Sequence, residues 1–168
     1  MTPSAKSIMN SQVITARPDM TCDEVQQLLT INKISGAPVV DREGRLVGVI
    51  SVSDILASGL NMGVSTSVEQ ALLDRLLAEE GFHLEGIAEG FVSDFMTRDV
   101  VRAFPDTSAH RLAELMLHHR VHRVIIVEAH TNQVKGIVTS FDLLKVLKEA
   151  PRSCGGHAPN QCKSLVSA

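Results

Sequence analysis

Two stretches decide the fold: GVISVSDIL over Gly48–Leu56 and GIVTSFDLL over Gly136–Leu144. In each, a glycine precedes an apolar run that ends in a hydroxyl, Ser51 or Thr139. A carboxylate, Asp54 or Asp142, follows three residues later. Apolar strand residues leading into a hydroxyl and then an acid mark a strand that runs straight into a helix start. Working outward, Met9 to Leu56 returns as Met96 to Leu144. Thus Val13, Ala16, Pro18, Asp19, Leu28, Val40 and Gly48 reappear as Val100, Ala103, Pro105, Asp106, Leu115, Val127 and Gly136. The register is 87 residues at first and 88 by the second glycine, the extra residue falling between Ala129 and Gln133. A repeat of this length is a supersecondary unit, and two units create a pseudo-twofold surface on which any site should appear twice.

Within the first copy, Val13 to Ala16 form an extended run halted by Pro18 and Asp19. Thr21 with Glu24 is a capping box, and Val25, Leu28, Leu29 and Asn32 follow at helical spacing, which predicts a helix over about 22–32. Ala37 to Val40 and Leu46 to Ile50 read as strands joined by the turn Asp41 to Gly44, and Ser51 to Leu56 opens another helix. The second copy predicts the same order. Val100 to Ala103 is a strand, 109–119 a helix with Leu112, Leu115 and Met116 inward, Val124 to Glu128 and Lys135 to Val138 a hairpin, and 140–148 a helix. The fold class is therefore α/β (α+β), two strand-helix-strand-strand-helix repeats with pseudo-twofold symmetry. Domain boundaries fall at 6–60 and 91–149, with a connector over 61–90 and a flexible tail over 150–168. In the connecting stretch Leu72, Leu73, Leu76 and Leu77 predict a helix over about 68–80, better read as packed than as a lid, because a leucine stripe needs burial.

Composition narrows the function. With 44% apolar but 3% aromatic residues and a net charge of −3, the 168-residue chain is not patterned as a general nucleic-acid binder, whose affinity rests on Lys and Arg. No apolar run approaches the roughly 20 residues that span a bilayer, and residues 1–11 lack a secretory pattern, so a cytoplasmic location is expected. Cys22, Cys154 and Cys162 do not make a disulfide framework. Metal is disfavoured in the tail, where Cys154, His157 and Cys162 lack a fourth ligand, and at His118 and His122, where the helix ends between them. Cys22 reads better as a small buried side chain than as an activated thiol.

The strand-to-helix turns carry two readings. In one, Ser51 and Thr139 accept from first-turn amides while Asp54 and Asp142 complement the helix dipole. In the other, the same helix start attracts phosphate, and an outward carboxylate accepts two hydrogen bonds from a ribose diol.

The double repeat, its element order and the paired G-h-h-S/T-x-x-D turns (h apolar) resemble a tandem pair of CBS domains, named after cystathionine beta-synthase. The likeness covers about Lys6 to Leu60 and Phe91 to Lys148. It implies a sensor of adenosyl ligands, with AMP, ADP, ATP or S-adenosylmethionine held in two clefts as a regulatory ligand and no cofactor required. It implies that Asp54 and Asp142 hold ribose hydroxyls and that Ser51 and Thr139 sit beside the phosphate or ribose. Ser35, Ala37 and Pro38, with His122 and Arg123, would wrap base and phosphate, and Thr15 and Arg102 would lie nearby. The copies differ here, Ser35-Gly36 against His122-Arg123. Since arginine is the better phosphate ligand, phosphate binding is expected to depend mainly on second-copy residues. Such pairs associate as disc-like homodimers, so the expected partners are an adenosyl ligand, a second copy and a separate regulated protein, with no membrane. A ligand-free dimerisation module is the alternative. An enzyme is disfavoured, because no nucleophile has a triad context and no P-loop occurs.

Overall fold

The computed structural model describes residues 3–55 and 90–149. The expected connector helix, the C-terminal tail and its Cys and His residues lie outside the described residues. In chain order the elements are α1 (Ala5–Ile8), α2 (Cys22–Ile31), β1 (Gly36–Val40), β2 (Leu46–Ser51), a helical turn at 52–55, α3 (Val92–Phe95), β3 (Arg102–Ala103), α4 (Ala109–His119), β4 (Arg123–Val127), β5 (Val134–Thr139) and α5 (Ser140–Glu149). Mixed strands and helices in two matched sets make this an α+β fold of two repeats.

The first long helix of each copy starts at a side-chain cap. The Thr21 hydroxyl accepts from the Glu24 amide at 3.3 Å while the Glu24 carboxylate accepts from the Thr21 amide at 2.8 Å, closing the capping box of α2. At α4 the Ser108 hydroxyl accepts from the Arg111 amide, and Arg120, left-handed at φ 54°, ends the helix. The inward stripes follow the sequence pattern, with Val25, Leu29, Leu112 and Met116 buried, although Leu28 and Leu115 are only half-buried.

Both hairpins are antiparallel, β1 on β2 and β4 on β5. The leading strand differs between copies, for a covalent reason. In the second copy β3 pairs parallel with β4, and the Ile125 amide donates to Val101 O at 3.3 Å. The first-copy counterpart of Ile125 is Pro38, which has no N–H to give. The expected strand over Val13 to Ala16 therefore shrinks to a single bridge, Ala16 to Val39.

Two short helices absent from the sequence reading, α1 and α3, organise the whole chain, because each packs on the opposite copy. Ala5, Ile8 and Met9 join the second-copy core of Ala103, Leu112, Val124, Ile126 and Val138. Val92 and Met96, with Phe95 beside them, join the first-copy core of Val25, Leu29, Val39, Ile50 and Ile55. Backbone bonds fix the exchange: Asn10 and Ile137 trade both of theirs, at 2.9 and 3.0 Å, and Thr97 and Val49 do the same at 2.9 Å each. The repeated glycines now have a reason. A Cβ on Gly48 would stand 2.7 Å from Met96 Sδ and 3.1 Å from Thr97 O, and one on Gly136 would collide with Met9 Sδ.

The hairpin turns also dock. Asn132, left-handed at φ 57°, accepts from the Leu46 amide through its carbonyl at 3.0 Å and donates from Nδ2 to Leu46 O at 2.9 Å. Gln133 Nε2 donates to Glu43 O, and Leu46, Ile125 and Val127 bury together beneath the contact. The extra residue of the second copy thus lies in a turn that joins the copies. Overpacking at the glycines predicts that Gly48→Ala and Gly136→Ala each lower unfolding stability by about 1–3 kcal/mol in urea titration. Unchanged midpoints would refute the close approach of the methionines.

Candidate functional site

The two strand-to-helix turns have nearly the same geometry. Asp54 Oδ2 accepts from the Ser51 amide at 2.8 Å and the Ser51 hydroxyl at 2.5 Å. Asp142 Oδ2 accepts from the Thr139 amide at 2.9 Å and the Thr139 hydroxyl at 2.7 Å. The hydroxyls thus donate to the carboxylates. Ser51 Oγ also accepts from the Asp54 amide at 3.4 Å, so the capping expectation is met in part and mainly through the acid. Both carboxylates are half-buried, each with one oxygen spent on its own turn and one turned outward.

The outer oxygens differ. Among the described residues Asp54 Oδ1 meets only the Thr97 hydroxyl, at 3.5 Å, whereas Asp142 Oδ1 accepts from Lys145 Nζ at 2.9 Å. Burial alone raises the Asp142 pKa. The Thr139 hydroxyl, the Lys145 ammonium and the Thr139 amide outweigh it and hold the carboxyl below its ordinary value.

The residues ahead of the second strand in each copy lie beside these turns. Ser35 O accepts from the Val52 amide at 3.1 Å and His122 O from the Ser140 amide at 3.0 Å. Strand register sets Gly36 opposite Ser51 and Arg123 opposite Thr139. The Arg123 side chain nevertheless crosses to the first copy, donating from Nη1 to Gly36 O at 3.0 Å and from Nη2 to Ser35 Oγ. Among the described residues no carboxylate pairs with it, and burial pushes its pKa down. It stays protonated all the same, and three of its five N–H groups have no partner among the described residues.

A cleft of about 320 Å³ opens between the copies. Ala37, Pro38, Ser51 and Asp54 of the first copy line it together with His122 and Arg123 of the second. Sequence reasoning missed the segment that completes the wall, Thr97, Asp99, Val100 and Val101, and also Val121. Spacing gave no signal for that segment, because it reaches the cleft only through the exchange of the leading segments. Thr139 and Asp142 occupy the pseudo-twofold equivalent of this cleft's turn and do not line it. Thr15, next to the Ala16 bridge, and Arg102, whose Nη1 donates to Asn132 Oδ1 at 2.9 Å, lie outside its lining too.

Other candidates lose their chemistry. Cys22 is buried at 3% exposure, and burial, then Asp23 and Asp94, raises its thiol pKa, the reverse of activation. His118 and His122 share no helix face because α4 ends at His119. No group of three metal-ligating side chains occurs among the described residues, and no described helix is long and apolar enough to cross a membrane.

A family model described as "CBS domain" matches residues 5–61 and 92–149. The chain is 34% identical over 152 residues to an uncharacterised protein, MJ1426, of Methanocaldococcus jannaschii, covering 84% of this chain and 89% of that protein. It is 32% identical to an inosine-5'-monophosphate dehydrogenase of the same organism, matching 98% of this chain but only 30% of the enzyme's length. Two solved structures share the fold. The protein CBSX2 in complex with AMP aligns at TM-score 0.68 and 24% identity, over 89% of this chain and 99% of that one. The CBS domain pair of protein MJ0100, in complex with 5'-methylthioadenosine and S-adenosyl-L-methionine, aligns at 0.63 and 24%, over 88% and 98%.

The half-buried bonds of the turns generate a prediction. Ser51→Ala and Thr139→Val should each cost about 1–2 kcal/mol in urea unfolding at neutral pH. Because the folded pKa of Asp142 is depressed, its contribution is present above the unfolded value and lost as pH falls through the folded one. The deficit of Thr139→Val should therefore shrink below about pH 4. A deficit independent of pH would contradict the Thr139–Asp142 bond.

Proposed function

The chain belongs to the CBS domain family, and from that premise we propose that it is a regulatory pair, not an enzyme, that binds an adenosyl ligand and reports occupancy to a separate protein. One observation carries this reading. Among the described residues, the cleft holds a half-buried arginine without a carboxylate partner, beside an aspartate whose outer oxygen meets only the Thr97 hydroxyl at 3.5 Å. A cation lacking a partner in a partly dry site favours an anion, and a carboxylate oxygen with two free lone pairs suits the two O–H groups of a ribose. Adenine nucleotides, AMP, ADP or ATP, offer both at once. Arg123 would take phosphate, Asp54 and Ser51 would hold the ribose side, and Ala37, Pro38 and Val101 would cover the base. The phosphate thus depends on a second-copy residue acting in the cleft of the first-copy turn. Thr139 and Asp142 would serve a second adenosyl ligand, nucleotide or S-adenosylmethionine.

Proteins of the same fold hold AMP in one case and S-adenosylmethionine with methylthioadenosine in another, which supports the ligand class. We place the protein in the cytoplasm as a homodimer. Leu117, Phe141, Leu144 and Leu147, all more than half exposed, offer the apolar area for it. The same exposed residues favour a second reading, a dimerisation module whose clefts stay empty.

Calorimetry with AMP and adenosine separates the two readings. Arg123→Gln should weaken AMP about tenfold to hundredfold and leave adenosine nearly unchanged, while Asp54→Ala should weaken both. AMP affinity untouched by both substitutions would remove the proposed site. A panel of adenine nucleotides that leaves the wild-type melting temperature unmoved would favour the dimerisation module.

A further inference from the structure

The two copies part company at the outer oxygen of the turn carboxylate, and the difference is written in the sequence. Three residues beyond Asp142 stands Lys145, and three beyond Asp54 stands Ala57. The exchanged leading segment differs as well, bringing the Thr97 hydroxyl to Asp54 from one side of the pseudo-twofold, with Asn10 in the matching place on the other. Asn10 turns its Oδ1 back to the Gln12 amide instead.

A carboxylate oxygen has two lone pairs. On Asp54 and Asp142 alike the inner oxygen is filled by the amide and hydroxyl of its own turn. A vicinal diol then needs both lone pairs of the outer oxygen. Among the described residues Asp54 Oδ1 meets only the Thr97 hydroxyl, a neutral donor at a long 3.5 Å, which leaves it the more open of the two. Asp142 offers one while Lys145 Nζ is 2.9 Å away.

We propose that Lys145 competes with the ligand's ribose for Asp142 Oδ1, so that the cleft at Asp142 is the weaker of the two for any vicinal-diol ligand. The claim rests on the adenosyl-sensor reading and deepens it by ranking the clefts. Lys145 is exposed along most of its side chain, so its ion pair is a surface pair of small strength. Competition of that size separates the sites without closing one. It acts as a threshold: the Asp54 cleft fills first, and the Asp142 cleft fills when ligand concentration is high enough to displace the lysine. Asp142 carries the other half of the same statement, since Lys145 is among the groups that hold its carboxyl below the ordinary value.

The test uses the full chain, with Lys145→Met, which keeps an unbranched stem without the charge, and Lys145→Arg, which keeps the charge. Adenosine is the probe, because it presents the diol without a phosphate. Lys145→Met should raise the carbon-13 NMR titration midpoint of the Asp142 carboxyl toward that of an ordinary aspartate. It should tighten the weaker adenosine site in calorimetry about twofold to fivefold. Lys145→Arg should keep the wild-type affinity and a depressed midpoint. An unmoved midpoint, or a weaker site that is unchanged or loosened in Lys145→Met, would overturn the competition. If the wild-type chain bound neither adenosine nor AMP while the midpoint still moved, the sensor reading itself would fall, and the competition with it.

Discussion

The structure depends on one exchange, in which the leading segment of each copy packs on the other, with a methionine over a glycine. Met96 lies on Gly48 and Met9 on Gly136, and on each side paired backbone bonds close the contact. The fit requires that the strand residue have no side chain, since the methionine and a backbone oxygen occupy the space of a Cβ. Everything near the cleft follows from it. Thr97 reaches Asp54 only because the chain that carries it is laid along β2, and Asp99 to Val101 then become the cleft wall. A half cut out at the repeat boundary would lose buried Ala5 or Val92 from its core, so the two copies are built as one body.

A second layer of coupling lies at the hairpin turns. The extra residue of the second copy falls in a turn where Asn132 adopts a left-handed backbone and binds Leu46 through both its main chain and its side chain. Arg102 braces that asparagine from β3. Arg123 makes a third tie, from the second copy to Gly36 and Ser35 of the first, and it lies in the cleft. Its position links two demands. An arginine buried this far satisfies part of its hydrogen-bonding capacity with neutral partners, and among the described residues no carboxylate offsets its charge.

Much of this was legible in the sequence. The capping box at Thr21 and Glu24 set the start of α2, and the predicted 109–119 helix is α4 as observed. Both hairpins lie within a residue of their expected ends, because strand residues bounded by turn chemistry leave little freedom. The leading strand of the first copy was overread, since Pro38 withholds the donor that would extend it and the effect lies on the neighbouring strand. Helices α1 and α3 were unread because four residues carry too little periodicity to declare a helix, and their apolar residues match a core only across the exchange. Of the candidate site, Ala37, Pro38, Ser51, Asp54, His122 and Arg123 meet at one cleft, whereas Thr15, Ser35, Arg102, Thr139 and Asp142 do not line it. That Arg123 serves the opposite copy could not be read from spacing, because a long side chain chooses its partner in three dimensions.

The central claim is that the cleft at Asp54 draws its walls from both copies and that the turns at Asp54 and Asp142 differ in the cations beside them. An amide-resolved NMR titration of the full chain with AMP tests it most directly. The account predicts that Ser51 to Ile55, Thr97 and Arg123 shift together at low ligand, and that Thr139 to Asp142 follow only at higher concentration. Shifts confined to one copy, or simultaneous saturation of both turns, would contradict it.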